Sequence, residues 1–162
     1  LAVIDLGCAP GGWLQIASQK VGSKNGSEKV VGVDLLPTDD IPGCKSIIGD
    51  IINRNTGKDL IKILGCKPNI VVSDMAANTT GHRQTDHIRT THLVEIALDF
   101  ALETLQENGV FLAKCFKGGA EIEVLSLMRK HFTKVSHIKP DASRKESVEG
   151  YFMALGFKGL KI

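Results

Sequence analysis

Short apolar runs of strand type alternate with segments of helical period, and this alternation narrows the possible folds more than any other feature of the chain. Residues 2–7 (AVIDLG) read as a buried strand that ends in a glycine-rich loop. Residues 13–21 (WLQIASQKV) follow as a helix, with Leu14, Ile16, Ala17 and Val21 as its expected buried face. Further strands are expected at 29–36, 44–50, 68–74 and 109–119, and further helices at 58–64, 88–106 and 122–132. In the long helix Val94, Ala97, Leu98, Ala101 and Leu105 recur at the spacing of one face, and Asn108-Gly109 ends it, with Gly109 expected as a left-handed cap. Strand–helix alternation implies an α/β fold with a mostly parallel sheet and helices on both faces. The last two strands, 134–139 and 150–157, have no helix between them. They are too close for a parallel crossover and should pair antiparallel, giving seven strands with an antiparallel last one.

A chain of 162 residues suits one domain with a real core. No apolar run approaches the roughly 18 residues that span a bilayer, and the opening residues LAVIDLG carry no basic leader. The first residue is not Met, so earlier residues are expected in the natural protein. The cysteines, Cys8, Cys44, Cys66 and Cys115, show no C-x-x-C pair, so reduced thiols are expected rather than a zinc or redox motif. His82, His87 and His92 lie five apart and miss the i, i+4 spacing of a helical ligand pair. They read as loop and helix-surface histidines, with no metal site expected.

The net charge of +2 conceals an imbalance. Residues 1–109 hold 10 Lys and Arg against 13 Asp and Glu, whereas residues 110–162 hold 10 against 5. A basic final third fits an anionic partner such as RNA, and fits a solvated surface equally well.

The loop DLGCAPGGW places Gly7, Gly11 and Gly12 between a strand and a helix, where small residues let the backbone approach a ligand. Its spacing is not G-x-G-x-x-G, and Pro10 interrupts it, which disfavours a nicotinamide dehydrogenase. Asp34 ends the second strand, roughly twenty residues after the last loop glycine, where an acid can bind ribose hydroxyls. Asp50 follows the third strand, suited to an adenine amino group. Taken singly, each acid is as readily a turn or cap residue; together they point to an adenosine-containing cofactor.

Lys114 stands inside the apolar run VFLAKCF. An unpaired buried charge is very unfavourable, so partners are required. Asp74 ends the fourth strand and Glu149 opens the last one. An antiparallel last strand beside the fifth would bring Asp74, Lys114 and Glu149 together at the cofactor rim. On spacing alone that trio is either a structural ion pair or a reactive centre.

The segments DLGCAPGGW, VGVDLLP, SDMAANTTG, AKCFKGG and KPDASRKESVEGYF occur in this order. They resemble the FtsJ (RrmJ, RlmE) family of ribosomal RNA 2′-O-methyltransferases, from about residue 3 to residue 157. The resemblance implies a single S-adenosylmethionine-dependent domain over 1–162, of the Rossmann-like class I methyltransferase fold. It implies cofactor contacts at Gly11, Trp13, Asp34, Asp50 and Asp74, to which the loop adds Gly7 and Gly12. It implies a catalytic set that maps here to Asp74, Lys114 and Glu149. The family's other catalytic lysine lies in a helix before the first strand, ahead of residue 1. Ala77 stands where the family usually has proline, and Gly150 where it usually has a β-branched residue. The implied reaction is methylation of a uridine 2′-hydroxyl in large-subunit ribosomal RNA.

Arg83, Lys117, Lys139, Arg144 and Lys145 are candidate phosphate contacts near the site's mouth. One Trp and one Tyr leave little for a stacking platform, so RNA shape or the ribosomal particle should set the target. The expected partner is ribosomal RNA or the large ribosomal subunit, without membrane or metal, and the protein is expected to act as a monomer. The compartment would be the cytoplasm of a bacterium or the mitochondrion of a eukaryote. Two alternatives stay open on the residues. One is a 2′-O-methyltransferase for tRNA or the mRNA cap; the other is a non-catalytic nucleoside- or RNA-binding module.

Overall fold

The structure is a computed structural model that describes residues 1–76, 80–116, 118–139 and 149–159. Its strands are β1 (Val3–Leu6), β2 (Val30–Asp34), β3 (Cys44–Ile48), β4 (Ile70–Ser73), β5 (Val110–Phe116), β6 (Phe132–Ile138) and β7 (Glu149–Phe157). Its helices are α1 (Gly12–Val21), α2 (Arg54–Leu64), α3 (Arg83–Thr104) and α4 (Ile122–His131). The strands form one sheet in the order β3-β2-β1-β4-β5-β7-β6. β1 to β5 pair in parallel, while β7 lies antiparallel between β5 and β6. The expected fold class is present, including the antiparallel final strand. No helix among the described residues is long and apolar enough to cross a membrane.

Side chains alternate across a strand, so each strand serves two faces. Ile4, Leu6, Val31, Val33, Phe111 and Ala113 point to the face covered by α2, α3 and α4, where the main core lies. Phe132 bridges Phe111 and Phe157 there, with ring centroids 6.5 and 5.4 Å apart. Val3, Cys8, Leu14 and Val30 form a smaller cluster under α1 on the other face. Gly32 makes room for it, since a Cβ at that position would lie 2.8 Å from Cys8 and 2.9 Å from Leu14.

Three expectations need correction. Ile16 is exposed, whereas Leu14 and Ser18 are the buried residues of α1 and Ala17 and Val21 are partly covered. A step of two residues carries Ile16 about 200° around the helix from Leu14, to the solvent side. The left-handed residue after α3 is Asn108 (φ 67°), not Gly109. Gly109 is confined by space instead: a Cβ there would lie 2.8 Å from the Gln106 carbonyl and 3.0 Å from that of Asn69. His87 is buried on α3, not on its surface, while His92 is exposed and His82 caps the helix by accepting from the Thr85 amide. That cap starts α3 five residues before the apolar period does.

Candidate functional site

Parallel strands deliver their carboxyl ends to one edge, where open α/β sheets bind ligands. A pocket of about 380 Å³ lies there, lined by Gly7, Ala9, Asp34, Asp50, Asp74 and Met75 among others. It falls within the range of small-molecule sites. A larger groove of about 870 Å³ along β3 and α2 lacks the strand-end carboxylates Asp34, Asp50 and Asp74.

Two residues of the glycine loop, Gly7 and Ala9, line the pocket. Gly7 has φ 77°, and a Cβ there would meet Met75 Cγ at 2.6 Å. Gly11 has φ 127°, and a Cβ there would run into the Ile41 side chain. Side chains at either place would be strained, and one at Gly7 would crowd Met75, which lines the pocket. Gly12 opens α1, and its Cβ position is unobstructed.

Asp34 already works within the protein. Its Oδ2 accepts from the Ala9 amide at 2.9 Å, and its Oδ1 accepts from the Leu36 amide at 2.9 Å. It therefore clamps the glycine loop to the end of β2, and it also lines the pocket with acceptor capacity to spare. Asp50 is exposed and makes a short turn, accepting from the Ile52 amide at 3.0 Å. The turn role and the pocket position coexist in both acids.

On one face of the sheet, Asp74, Lys114 and Glu149 converge. Lys114 Nζ lies 3.2 Å from Asp74 Oδ1 and 3.0 Å from Glu149 Oε1. The register explains this, for Lys114 pairs with Tyr151 and Phe116 with Glu149. Glu149 and Tyr151 therefore share Lys114's face. The lysine side chain is 16% exposed, so it reaches the surface while remaining largely desolvated. Burial lowers its pKa, but its bonds to Glu149 and the charge of Asp74 raise it more, and the net shift is upward. Lys114 is an ammonium at neutral pH.

Tyr151 was not expected here. Its hydroxyl donates to the same Asp74 Oδ1 at 3.0 Å, and its ring leans on Trp13 at 5.5 Å between centroids. Burial first, and Asp74 second, raise its pKa, so it stays a donor. Two residues from Glu149 on a strand is the spacing that would have revealed it. Asp5 was also missed. It lies in β1, 1% exposed, with neither carboxyl oxygen hydrogen-bonded among the described residues. Burial, then Asp74 and Asp34, push its pKa up to about 8, so it is mostly protonated at neutral pH. A charged residue type inside an apolar run marked it as plainly as Lys114.

Of the candidate phosphate contacts, Arg83 is exposed at the start of α3 and Lys139 is exposed just past β6. Arg83 follows β4 and Lys139 follows β6, strands that both run in the direction of β5, but neither residue is among those lining the pocket. Lys117, Arg144, Lys145 and the departure at Ala77 lie outside the described residues. Among the described residues no group of three or more His, Cys, Asp or Glu is arranged to hold a metal.

A model of the FtsJ-like methyltransferase family matches residues 1–157. The ribosomal RNA large subunit methyltransferase E of Bartonella tribocorum is 55% identical over 97% of this chain and 65% of its own length. The chain thus spans less than two thirds of that relative. Among solved structures, a ribosomal RNA methyltransferase from Plasmodium falciparum superposes with a TM-score of 0.84 at 25% identity, over 98% of this chain and 87% of the other. A methyltransferase from Streptococcus mutans, solved in complex with SAH, shares the fold with a TM-score of 0.57 at 13% identity, over 97% and 87% of the two chains.

Proposed function

The chain belongs to the FtsJ-like methyltransferase family, and on that premise we propose that its sheet forms one catalytic domain that methylates a ribose 2′-hydroxyl of large-subunit ribosomal RNA. The observation that carries this reading is the Lys114 ammonium between Asp74 and Glu149, at the rim of a pocket lined by strand-end carboxylates. The pocket suits S-adenosylmethionine. Gly7 lines it without a side chain, Asp34 offers lone pairs to ribose hydroxyls, and Asp50 offers a carboxylate to an adenine amino group. Bound there, the cofactor supplies a methyl group on a sulfonium and leaves as a neutral thioether.

The chain's own residues handle the nucleophile. Lys114 donates to the 2′-oxygen and fixes it in line for transfer; most of the rate comes from that alignment. Asp74 and Glu149 fix the ammonium in place, and Tyr151 fixes Asp74. As the oxygen–carbon bond forms, the hydroxyl must lose its proton. That proton passes to the fraction of Lys114 that is neutral, whose Nζ lone pair accepts it, and the two carboxylates keep that fraction small. A second cation near the pair would relieve that by repulsion.

The relatives' names and their bacterial sources support ribosomal RNA as substrate and a bacterial cytoplasm as compartment. The exposed Arg83 and Lys139 are proposed as phosphate contacts that position RNA without reading its sequence, and the protein is proposed to act as a monomer. Calorimetric titration tests the cofactor half. S-adenosylmethionine should bind at one site and NAD should not. Asp50→Ala should weaken binding with the fold intact, while Asp34→Ala should abolish it, because it also frees Ala9 and Leu36. Equal binding of NAD, or no binding by a folded chain, would overturn the reading.

A further inference from the structure

Two loops leave the strands that carry the central pair. One follows β4 and Asp74; the other follows β5 and Lys114. Among the described residues of these loops, Thr80 and Ala120 are both fastened at one place, the start of α3. Asp86 Oδ1 accepts from the Thr80 amide at 2.8 Å and from the Thr80 hydroxyl at 2.6 Å. The next residue, His87, accepts from the Ala120 amide through Nε2 at 2.9 Å. Glu121 finishes the second loop by accepting from the Gly119 amide at 2.7 Å, and it lies 3.3 Å from the same His87 nitrogen.

The His87 contact is built, not incidental. The ring is 5% exposed. Gly118 lies flat against it, and a Cβ on Gly118 would fall 2.7 Å from the ring's Cγ and Cδ2. Nε2 can accept from Ala120 or donate to Glu121, not both, and the shorter contact is the one from Ala120. The proton then sits on Nδ1, which has no hydrogen-bond partner among the described residues. A buried donor left unmatched is unfavourable. A leucine there would avoid that cost, so the acceptor on the ring's far side is what the position keeps.

We propose that His87, together with Asp86, is a positioning residue that locks the loops after Asp74 and Lys114 to one helix turn and so fixes the spacing of the pair they follow. The inference rests on the reading of that pair as a methyl-transfer centre. Neither residue need touch RNA or cofactor. The lock acts through the loops.

Steady-state methyl transfer to ribosomal RNA and amide hydrogen exchange, both with the full-length protein, test it. His87→Leu should expose the Ala120 amide to exchange and lower kcat about 10- to 100-fold, the scale of a small misplacement at a reacting centre, while KM for S-adenosylmethionine stays near wild type. His87→Gln can place an amide oxygen where Nε2 was and should restore both protection and turnover. Gly118→Ala attacks the same contact from the loop side, without touching α3, and should reproduce the leucine variant even if that one folds poorly. Wild-type kcat in both His87→Leu and Gly118→Ala would overturn the proposal, as would a glutamine variant that fails as fully as leucine with an unchanged melting temperature. A wild-type protein that transfers no methyl group would instead sink the functional reading. Exchange at Thr80 and Ala120 across the same variants would still decide whether the lock exists.

Discussion

Lys114 stands 3.2 Å from one carboxylate and 3.0 Å from another, and that pair of contacts sets its proton affinity. Its pKa lies above that of an ordinary lysine, so the neutral amine is scarce at neutral pH and rises about tenfold with each pH unit. If Lys114 takes the hydroxyl proton, log kcat should climb with a slope near one from about pH 6.5 to 9. A flat profile would leave it an orienting donor only. Glu149→Gln removes one negative neighbour and should move the Nζ titration, followed by NMR, to lower pH; an unmoved titration would contradict the account of the shift. Asp5 gives the opposite kind of pH effect. Its folded pKa of about 8 exceeds the roughly 3.9 of an unfolded aspartate, so the native state holds the extra proton between those values. Stability should therefore fall by several kcal/mol as pH rises from about 4 to 8, and level off above. Asp5→Asn should abolish that slope in urea unfolding, and a parallel slope in both proteins would refute it. Lys114 was legible because a charge interrupts an apolar run. Asp5 carries the same mark, but Tyr151 and His87 do not, since an aromatic ring or a histidine in a core needs no explanation until its partners are visible.

At the scale of elements, the period of a helix decides more than its composition. Leu14 is buried under α1 and Ile16 is exposed two residues later. Leu14→Ala should cost about 2–5 kcal/mol, whereas Ile16→Gln should stay within about 0.5 kcal/mol; equal effects in thermal unfolding would contradict the placement. Gly109→Ala should destabilise by about 1–3 kcal/mol, because the added carbon meets two backbone carbonyls that have nowhere to go. Short apolar runs marked each strand seen among the described residues. Helix starts were harder. α2 begins at Arg54, where the Asn53 side chain accepts from the Asn55 amide, and α3 begins at Arg83 under a histidine cap. Histidine is not among the usual capping residues, so nothing in the local pattern announced the extra turn.

Across the whole molecule, chain order implied that the last two strands pair antiparallel, and the placement of β7 beside β5 brings Glu149 to Lys114. The meeting of Asp74, Lys114 and Glu149 was legible only on the condition that the last strand inserts beside the fifth, which the structure shows. The fastening of two loops to one helix turn was not, because it depends on contacts between residues 6 and 33 positions apart. Lys139, from the basic final third of the chain, lies just past the edge strand β6. RNA affinity should accordingly fall steeply between about 50 and 200 mM salt, and a salt-independent affinity would dismiss the proposed phosphate contacts. The most direct test of the central claim is transfer of a labelled methyl group from S-adenosylmethionine to unmodified large ribosomal subunits, with the product read as an alkali-resistant dinucleotide. The account predicts a 2′-O-methylated ribose made by the full-length wild-type protein, and loss of nearly all transfer in Lys114→Ala with cofactor binding retained. Near-normal transfer by Lys114→Ala, or a methyl group on a base instead of a ribose, would contradict it.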